Sequence, residues 1–592
     1  MYLKRHVRNK NGRRHVYYSL NESTRVSRTR IVQRQVLHLG ELNTTQLEKW
    51  QRSIEVVQED GQARQCRLFT DQDGQAPPLE DDVCEVLLST LRVCRPRQFG
   101  GPWLGCRLFQ ALQLDQFFAT GLADHRGSED WAKVVELLVV NRLCAPGSEL
   151  ALHQRWFDQT AMDFLLGTGP EVAGKDRLYR ALDKIVELKP ELERHLGQRW
   201  KDMFQAKTDI VLYDLTSTYF EGAAEECQKA KRGYSRDHRP DCPQVVLALV
   251  VTAEGFPLTY EVFPGNTNDA ETLDHIVSEV EAKHGDIGRV WVFDRGIVSE
   301  DNLAKLRERG ASYLVGTPRH RLREFEKELL QGDWQSMAGR PGVRVQLIAR
   351  GEELYVLARS DERAHKESAM RRRQLVGLHR DLRAMDRSIR TGRLRSSDKI
   401  HIRLGRLQER WPGGWKYIQT AEFENRQLRW AWNEERLRNI RLIDGAYLLR
   451  TNLELKEPEL LWQQYIQLTE VEEAFRVLKS ELAIRPVWHR LDRRVEGHIL
   501  IAFLGYCLWV CLKQKLRPCA PSLTPARVLE NLSRMQMVEV WFDLRHGGRI
   551  CLPRITEPES DQAIILHRLG WELPQQPPPR IYSKDLPAND AS

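Results

Sequence analysis

The stretch Asp209–Phe220, DIVLYDLTSTYF, decides how this chain is read. Its valine, leucine, threonine and aromatic residues are those of a β-strand, yet Asp214 stands inside it. Aspartate is disfavoured within strands. Asp214 therefore sits at an edge or an end, or it serves a function. Arg289–Gly296, RVWVFDRG, repeats the pattern: a short apolar run ends on Asp294 and turns at Arg-Gly. In α/β sheets functional groups gather at strand ends, where the chain turns. Two carboxylates brought together there repel each other unless a cation lies between them. Hard divalent ions such as Mg²⁺ suit these oxygen ligands. Two such ions about 4 Å apart can activate a water and stabilise the leaving oxygen of a phosphodiester. A single aspartate at a strand end is more often a turn or cap residue. Two in matching contexts bring the readings level.

The neighbouring segments supply the rest of a sheet. Gln244–Gly265, QVVLALVVTAEGFPLTYEVFPG, predicts two strands turning at Glu254-Gly255. Asp269–Gly285 predicts a helix. Ser299–Gly310 predicts another, capped by Ser299 and ended by Gly310. Ala311–Pro318, ASYLVGTP, is a further strand. The order β-β-β-α-β-α-β is a mixed α/β core.

A third carboxylate comes from Tyr465–Pro486, YIQLTEVEEAFRVLKSELAIRP. Seven residues are close to two helical turns. Seven steps from Glu472 reach Tyr465 in one direction and Lys479 in the other, with Arg476 at i+4 on the same side. Such a face suits a metal and a phosphate. The bland alternative is an exposed helix with i,i+4 pairs. Glu470 and Glu473 lie off that face and read as solvated or paired charges.

The 592 residues predict several domains. Net charge is +8 and the pI about 8.8, which favours an anionic partner only mildly. The bias is local: Arg359–Arg410 holds 16 Lys and Arg against 7 Asp and Glu. Within it Leu375, Leu378, Leu382, Met385 and Ile389 form an apolar helical stripe, flanked by Arg380, Arg383, Arg387 and Arg390. This stretch neutralises phosphates or is a solvated amphipathic helix. The loop Lys229–Asp241, KAKRGYSRDHRPD, adds Lys231, Arg232, Arg236 and Arg239 as candidate DNA contacts near the site. Trp430 and Trp432 on an expected strand are one packed face, or stack on an unpaired base. Eleven cysteines without a C-x-x-C pair argue against a disulfide framework or zinc ribbon. The longest apolar run, Ile499–Leu512, is too short to span a bilayer and reads as a buried helix. No membrane role is expected, and a cytoplasmic, nucleoid-associated protein is. An RNA-binding protein is disfavoured, since no aromatic RNP-like block is present.

Taken together, YDLTSTYFEG, VFDRG and the helix with Tyr465, Glu472 and Lys479 resemble the DDE transposases of bacterial insertion sequences. The closer likeness is to the group with a β-rich insertion and a Y-x2-R-x3-E-x6-K signature. GYSRDHRPDCPQVVLALVV and PGNTNDAETL resemble further blocks of that group. The resemblance implies an RNase H-like core and a catalytic, metal-binding triad of Asp214, Asp294 and Glu472. It implies two Mg²⁺ ions, with Mn²⁺ able to substitute, and DNA contacts from Tyr465 and Lys479. It also implies hydrolysis at the element ends, attack of the freed 3′-OH on target DNA, and a homodimer on two double-stranded DNA ends. One position departs: the signature's Arg falls on Leu468, and Arg476 is the expected substitute. Two other readings stay open: a metal-dependent nuclease without strand transfer, and a non-catalytic DNA-binding regulator derived from a transposase.

The expected domains are an N-terminal mixed, β-containing region (1–90) and a helical domain (91–205), both assigned to DNA. Then come the first segment of the catalytic core (206–318), a basic, β-rich insertion (319–441) and the second core segment with the Glu helix (442–515). A C-terminal helical region (516–573) and a disordered Pro-rich tail (574–592) complete the chain.

Overall fold

The structure is a computed structural model that describes residues 2–10, 13–27, 30–40, 54–57, 63–66, 84–123, 130–285, 288–424 and 427–582. The chain divides into two compact units, Met1–Tyr179 with Cys511–Ser592, and Arg180–Val510.

The first unit begins with β1 (Tyr2–Lys10), β2 (Arg13–Ser27) and β3 (Arg30–Gly40), a three-stranded antiparallel sheet. The basic side chains of Lys4–His15 lie outside the described residues. Next come β4 (Ile54–Val57), β5 (Ala63–Cys66) and β6 (Val86–Gln98). Helices follow at Gly100–Ala111, Leu114–Gly121 and Trp131–Cys144. The last is buried on nearly every side, as its unbroken apolar sequence demands.

The second unit holds the core. Its strands are β7 (Ile210–Tyr219), β8 (Gln244–Thr252), β9 (Pro257–Pro264), β10 (Val290–Phe293) and β11 (Ser312–Gly316). Helices Leu273–His284 and Glu300–Glu308 stand on either side of β10 in the chain, giving the expected β-β-β-α-β-α-β order. β7, β8 and β9 pair antiparallel, while β10 lies parallel to both β7 and β11. The spatial order β9-β8-β7-β10-β11 is that of an RNase H-like sheet. Every residue of β8 is buried, which explains its continuous apolar run. The helix Lys189–Phe204, assigned by sequence to the helical domain, belongs to this unit. Trp200 Nε1 donates to the Pro257 carbonyl at 2.9 Å, and Lys189 pairs with Glu261 at 2.6 Å.

The insertion between β11 and the next core strand has two portions. In the first, β12 (Gln335–Ser336), β13 (Val343–Arg350) and β14 (Glu353–Ser360) extend the main sheet, with β14 pairing to β17 (Ala446–Thr451). The full sheet has nine strands, ordered β12-β13-β14-β17-β11-β10-β7-β8-β9. The second portion combines helices Asp361–Arg390 and Ser397–Arg410 with a hairpin of β15 (Ile418–Glu424) and β16 (Gln427–Trp432). Leu378, Leu382, Met385 and Ile389 form its core. Trp430 and Trp432 pack against that core, so the packed-face reading holds for them. The expected strands are present, and the helix pair adds as much again.

The expected C-terminal helical region is mixed instead. After the helix Pro525–Leu532, β18 (Gln536–Leu544) and β19 (Arg549–Ile555) form a hairpin, followed by the helix Ser560–Leu569. QMVEVWFDL is rich in valine and aromatic residues, which favour a strand over a helix. The tail also differs from expectation: β20 (Arg580–Tyr582) pairs with β19 and β4. Residues 583–592 lie outside the described residues. β18 pairs with β6, which completes a six-stranded sheet ordered β5-β4-β20-β19-β18-β6. The run Ile499–Leu512 lies in the helix Asp492–Cys519. Among the described residues this helix alone is long and apolar enough to cross a membrane, and its apolar window is 94% buried in the protein.

Candidate active site

Asp214 sits in the middle of β7, not at the strand end that sequence reasoning favoured. Its backbone pairs with Leu249 of β8 on one side. On the other side β10 stops at Phe293, which is opposite Tyr213. The neighbouring strand thus ends one residue before Asp214, and Asp294 occupies the turn that follows. Glu472 comes from the helix Leu468–Ser480, which packs on β7 and β8. Val471, Ala474, Phe475 and Leu478 bury one face of that helix and so fix which way Glu472 points. All three carboxylates line one cleft of about 300 Å³.

Burial and mutual repulsion set their electrostatics. The Asp214 carboxyl is pushed up to about 7 by burial. The Leu215 N–H and Arg236 oppose the rise, while Asp294 and Glu472 add to it. Glu472 is raised by burial and then by Asp294. Among the described residues none of the three is ion-paired. Carboxylate oxygens of this kind are donors that hard divalent cations suit.

Tyr465 completes the first layer around Asp294. Its hydroxyl donates to Asp294 Oδ1 at 3.1 Å, and burial, then Asp294, push that phenol above its usual range. Gly316, the last residue of β11, leaves room for this contact: a Cβ there would overlap Tyr465 Oη and lie 3.2 Å from Asp294 Oδ1.

The basic residues are less free than their sequence suggests. Lys479 Nζ donates to Asp237 Oδ1 at 2.7 Å, and Arg485 donates to the same oxygen. Asp237, whose side chain is 2% exposed, therefore ties the β7–β8 loop to the Glu helix. Removing its charge leaves two part-buried cations without their counter-charge. Asp237→Asn is expected to destabilise the chain by about 2 kcal/mol, read as a lower urea midpoint at unchanged slope. An unchanged midpoint would show that the tie carries no stability. Arg476 forks onto Glu473 at 2.7 Å twice and also reaches Glu481, and it does not line the cleft. In the loop, Arg236 grips Asp269 at 2.6 and 2.7 Å. Arg239 pairs with Asp241 and lies 4.9 Å from the Tyr219 ring centroid. Lys231 bridges β8 through its backbone to Gln244. Of the four loop candidates, only Lys231 and Arg232 have no ion pair among the described residues.

Leu468 lines the cleft as a buried apolar wall. Arg295, Gly316, Thr317, Arg363 and Tyr447 also line it and were missed by sequence reasoning. Gly316 had a signal, a glycine closing an apolar strand. Arg363 had none, being one of many arginines in the basic stretch.

Three unpaired carboxylates in one cleft of an RNase H-like sheet are a donor set of the kind that hard divalent cations take. The family model of the transposase DDE domain matches residues 205–508, the whole of this core with its insertion. The chain belongs to that family, the DDE transposases, which cut and join DNA in transposition and use divalent metal ions. Among curated proteins no match is found. Two solved structures are similar over portions of their length. One is a cryo-EM structure of the piggyBac transposase synaptic complex with hairpin DNA: 10% identity over 76% of this chain and 82% of that one, TM-score 0.34. The other is the Mos1 transposase paired-end complex with the left transposon end: 13% identity over 32% of this chain and 60% of that one, TM-score 0.14.

Proposed function

We propose that Asp214, Asp294 and Glu472 hold two Mg²⁺ ions with which this transposase hydrolyses the phosphodiester at each end of its insertion sequence. The same cleft then joins the freed 3′-OH to target DNA. The observation that carries this reading is the convergence of three carboxylates, from a strand, a strand end and a helix, on one cleft, none of them ion-paired among the described residues. The ions supply an activated water and charge for the leaving oxygen. The chain supplies the rest. β7, paired with β8 at Asp214, holds that carboxylate in place, and the Tyr465 hydroxyl orients Asp294. Leu468 and Ile466 make an apolar wall that limits water around the reacting phosphate. Lys479, held in place by Asp237, and the unpaired Lys231 and Arg232 take DNA phosphates beside the cleft. One cleft serves one end at a time, so two ends call for two copies of the chain in the working complex.

The test uses the full chain, DNA carrying its element ends, and a target plasmid. Cleavage is expected to stop with a chelator and return with Mg²⁺, and precut ends are expected to join the plasmid. Cleavage without joining would make the protein a nuclease. Cleavage that ignores the chelator would remove the metal site.

A further inference from the structure

A cleft that acts on a phosphate must also hold it, and Leu468 offers an anion nothing. Arg363 does. It reaches the cleft from the insertion, in the first turn of the helix Asp361–Arg390. Ser360 caps that helix, its Oγ accepting the Arg363 N–H at 3.3 Å. The guanidinium is held at two further points. Its Nε donates to Glu367 Oε1 at 3.1 Å. Glu367 itself is fixed, since Oε2 accepts from Arg319 at 2.7 Å and from the Gly445 N–H at 3.0 Å. The guanidinium carbon also lies 5.1 Å from the centroid of the Tyr447 ring. That ring is anchored by Trp462 Nε1 donating to its hydroxyl. Tyr447 lines the same cleft. Among the described residues nothing bonds the two terminal nitrogens of Arg363. An oriented guanidinium with both Nη groups open presents a fork that matches two oxygens of a phosphate.

We propose that Arg363 is a phosphate-binding residue of the catalytic cleft, contributed by the insertion, whose Nη groups take two non-bridging oxygens of a DNA phosphate. The proposal rests on the triad reading above. A purely structural Arg363 would be no more than the i,i+4 partner of Glu367. Lysine tells the two roles apart: it keeps a cation for Glu367 and loses the fork.

The experiment measures end cleavage, thermal midpoint and the salt dependence of end binding for the full chain and four variants. Arg363→Ala is expected to lower kcat roughly 10²-fold and to reduce the log–log salt slope by about one. Arg363→Lys keeps the slope and loses roughly tenfold in kcat, because a point charge replaces the fork. Arg372→Ala, an exposed arginine of the same helix, leaves cleavage unchanged. Asp294→Asn reports on the triad. If Arg363→Ala or Arg363→Lys cuts at the wild-type rate while Asp294→Asn is dead, the Arg363 proposal is overturned and the triad stands. If Asp294→Asn cuts at the wild-type rate, the triad reading itself falls. Should Arg363→Ala not fold, Arg363→Lys decides: a wild-type rate overturns the proposal and a roughly tenfold loss upholds it.

Discussion

Asp214→Asn is expected to lower the rate of end cleavage by about 10³-fold or more, with the fold intact. On the proposed site, several kcal/mol of transition-state stabilisation would depend on the ions this carboxylate would hold, and each 1.36 kcal/mol is about tenfold in rate. Among the triad Asp214 is the least able to bear its charge alone, because it is half-buried within a central strand while Asp294 and Glu472 are exposed. Its carboxyl, raised from the usual 3.8 to about 7 by burial first, holds a proton near neutrality until a cation displaces it. Ion affinity is therefore expected to rise with pH up to about 7 and then level. Ion titration followed by calorimetry at several pH values measures this, and a flat profile between pH 5 and 7 would remove the buried charge from the account.

The same group sets the stability of the ion-free protein. Its folded pKa lies above its unfolded one, so between 3.8 and about 7 the native state binds more protons than the unfolded chain. Stability falls as pH rises through that window, and the penalty is full above it. In chelator, Asp214→Asn should melt higher than wild type at pH 8, and the gain should shrink at pH 5. A variant that melts lower than wild type at both pH values would mean that Asp214 stabilises the fold rather than straining it.

The strands around Asp214 were legible because each is a local apolar run between turn residues, and β-β-β-α-β-α-β follows from reading them in order. Glu472 was legible because helical periodicity is also local: seven residues return to the same face. What could not be read was long-range pairing. Nothing in VRVQLIAR or ELYVLARS says that β13 and β14 join the main sheet beside β17 instead of a separate insertion domain. Nothing local says that residues 511–592 group with the N-terminal unit. The partners of charged side chains were hidden for the same reason. Arg476 looked available at i+4 from Glu472, yet it closes on Glu473 one turn away. Asp237 looked like one acid among many bases, yet it holds Lys479 and Arg485 across more than two hundred residues. The misplaced strand end of Asp214 has a similar cause. A strand's length is local, but the point where its neighbour stops is not, and here it is the stop of β10 that opens the site.

Gly316→Ala is expected to lower end cleavage roughly 10²-fold, although residue 316 has no side chain to offer DNA or metal. Its Cβ would collide with Tyr465 Oη and press on Asp294 Oδ1, so the tyrosine must swing away or the aspartate must turn. Neither can move cheaply. Tyr465 is a rigid ring on a helix that packs against the sheet, and Asp294 is fixed by a strand end. Overpacking of this kind also costs about 1–3 kcal/mol of stability. Tyr465→Phe alone removes one hydrogen bond and should cost only about tenfold, since Asp294 keeps its place in the turn. Because the phenylalanine lacks the colliding oxygen, the double variant Gly316→Ala/Tyr465→Phe should cleave faster than Gly316→Ala by itself. This inverted order is the sharpest reading of the geometry. A double variant as slow as, or slower than, Gly316→Ala would show that the glycine is required for its backbone and not for the space it leaves beside the carboxylate.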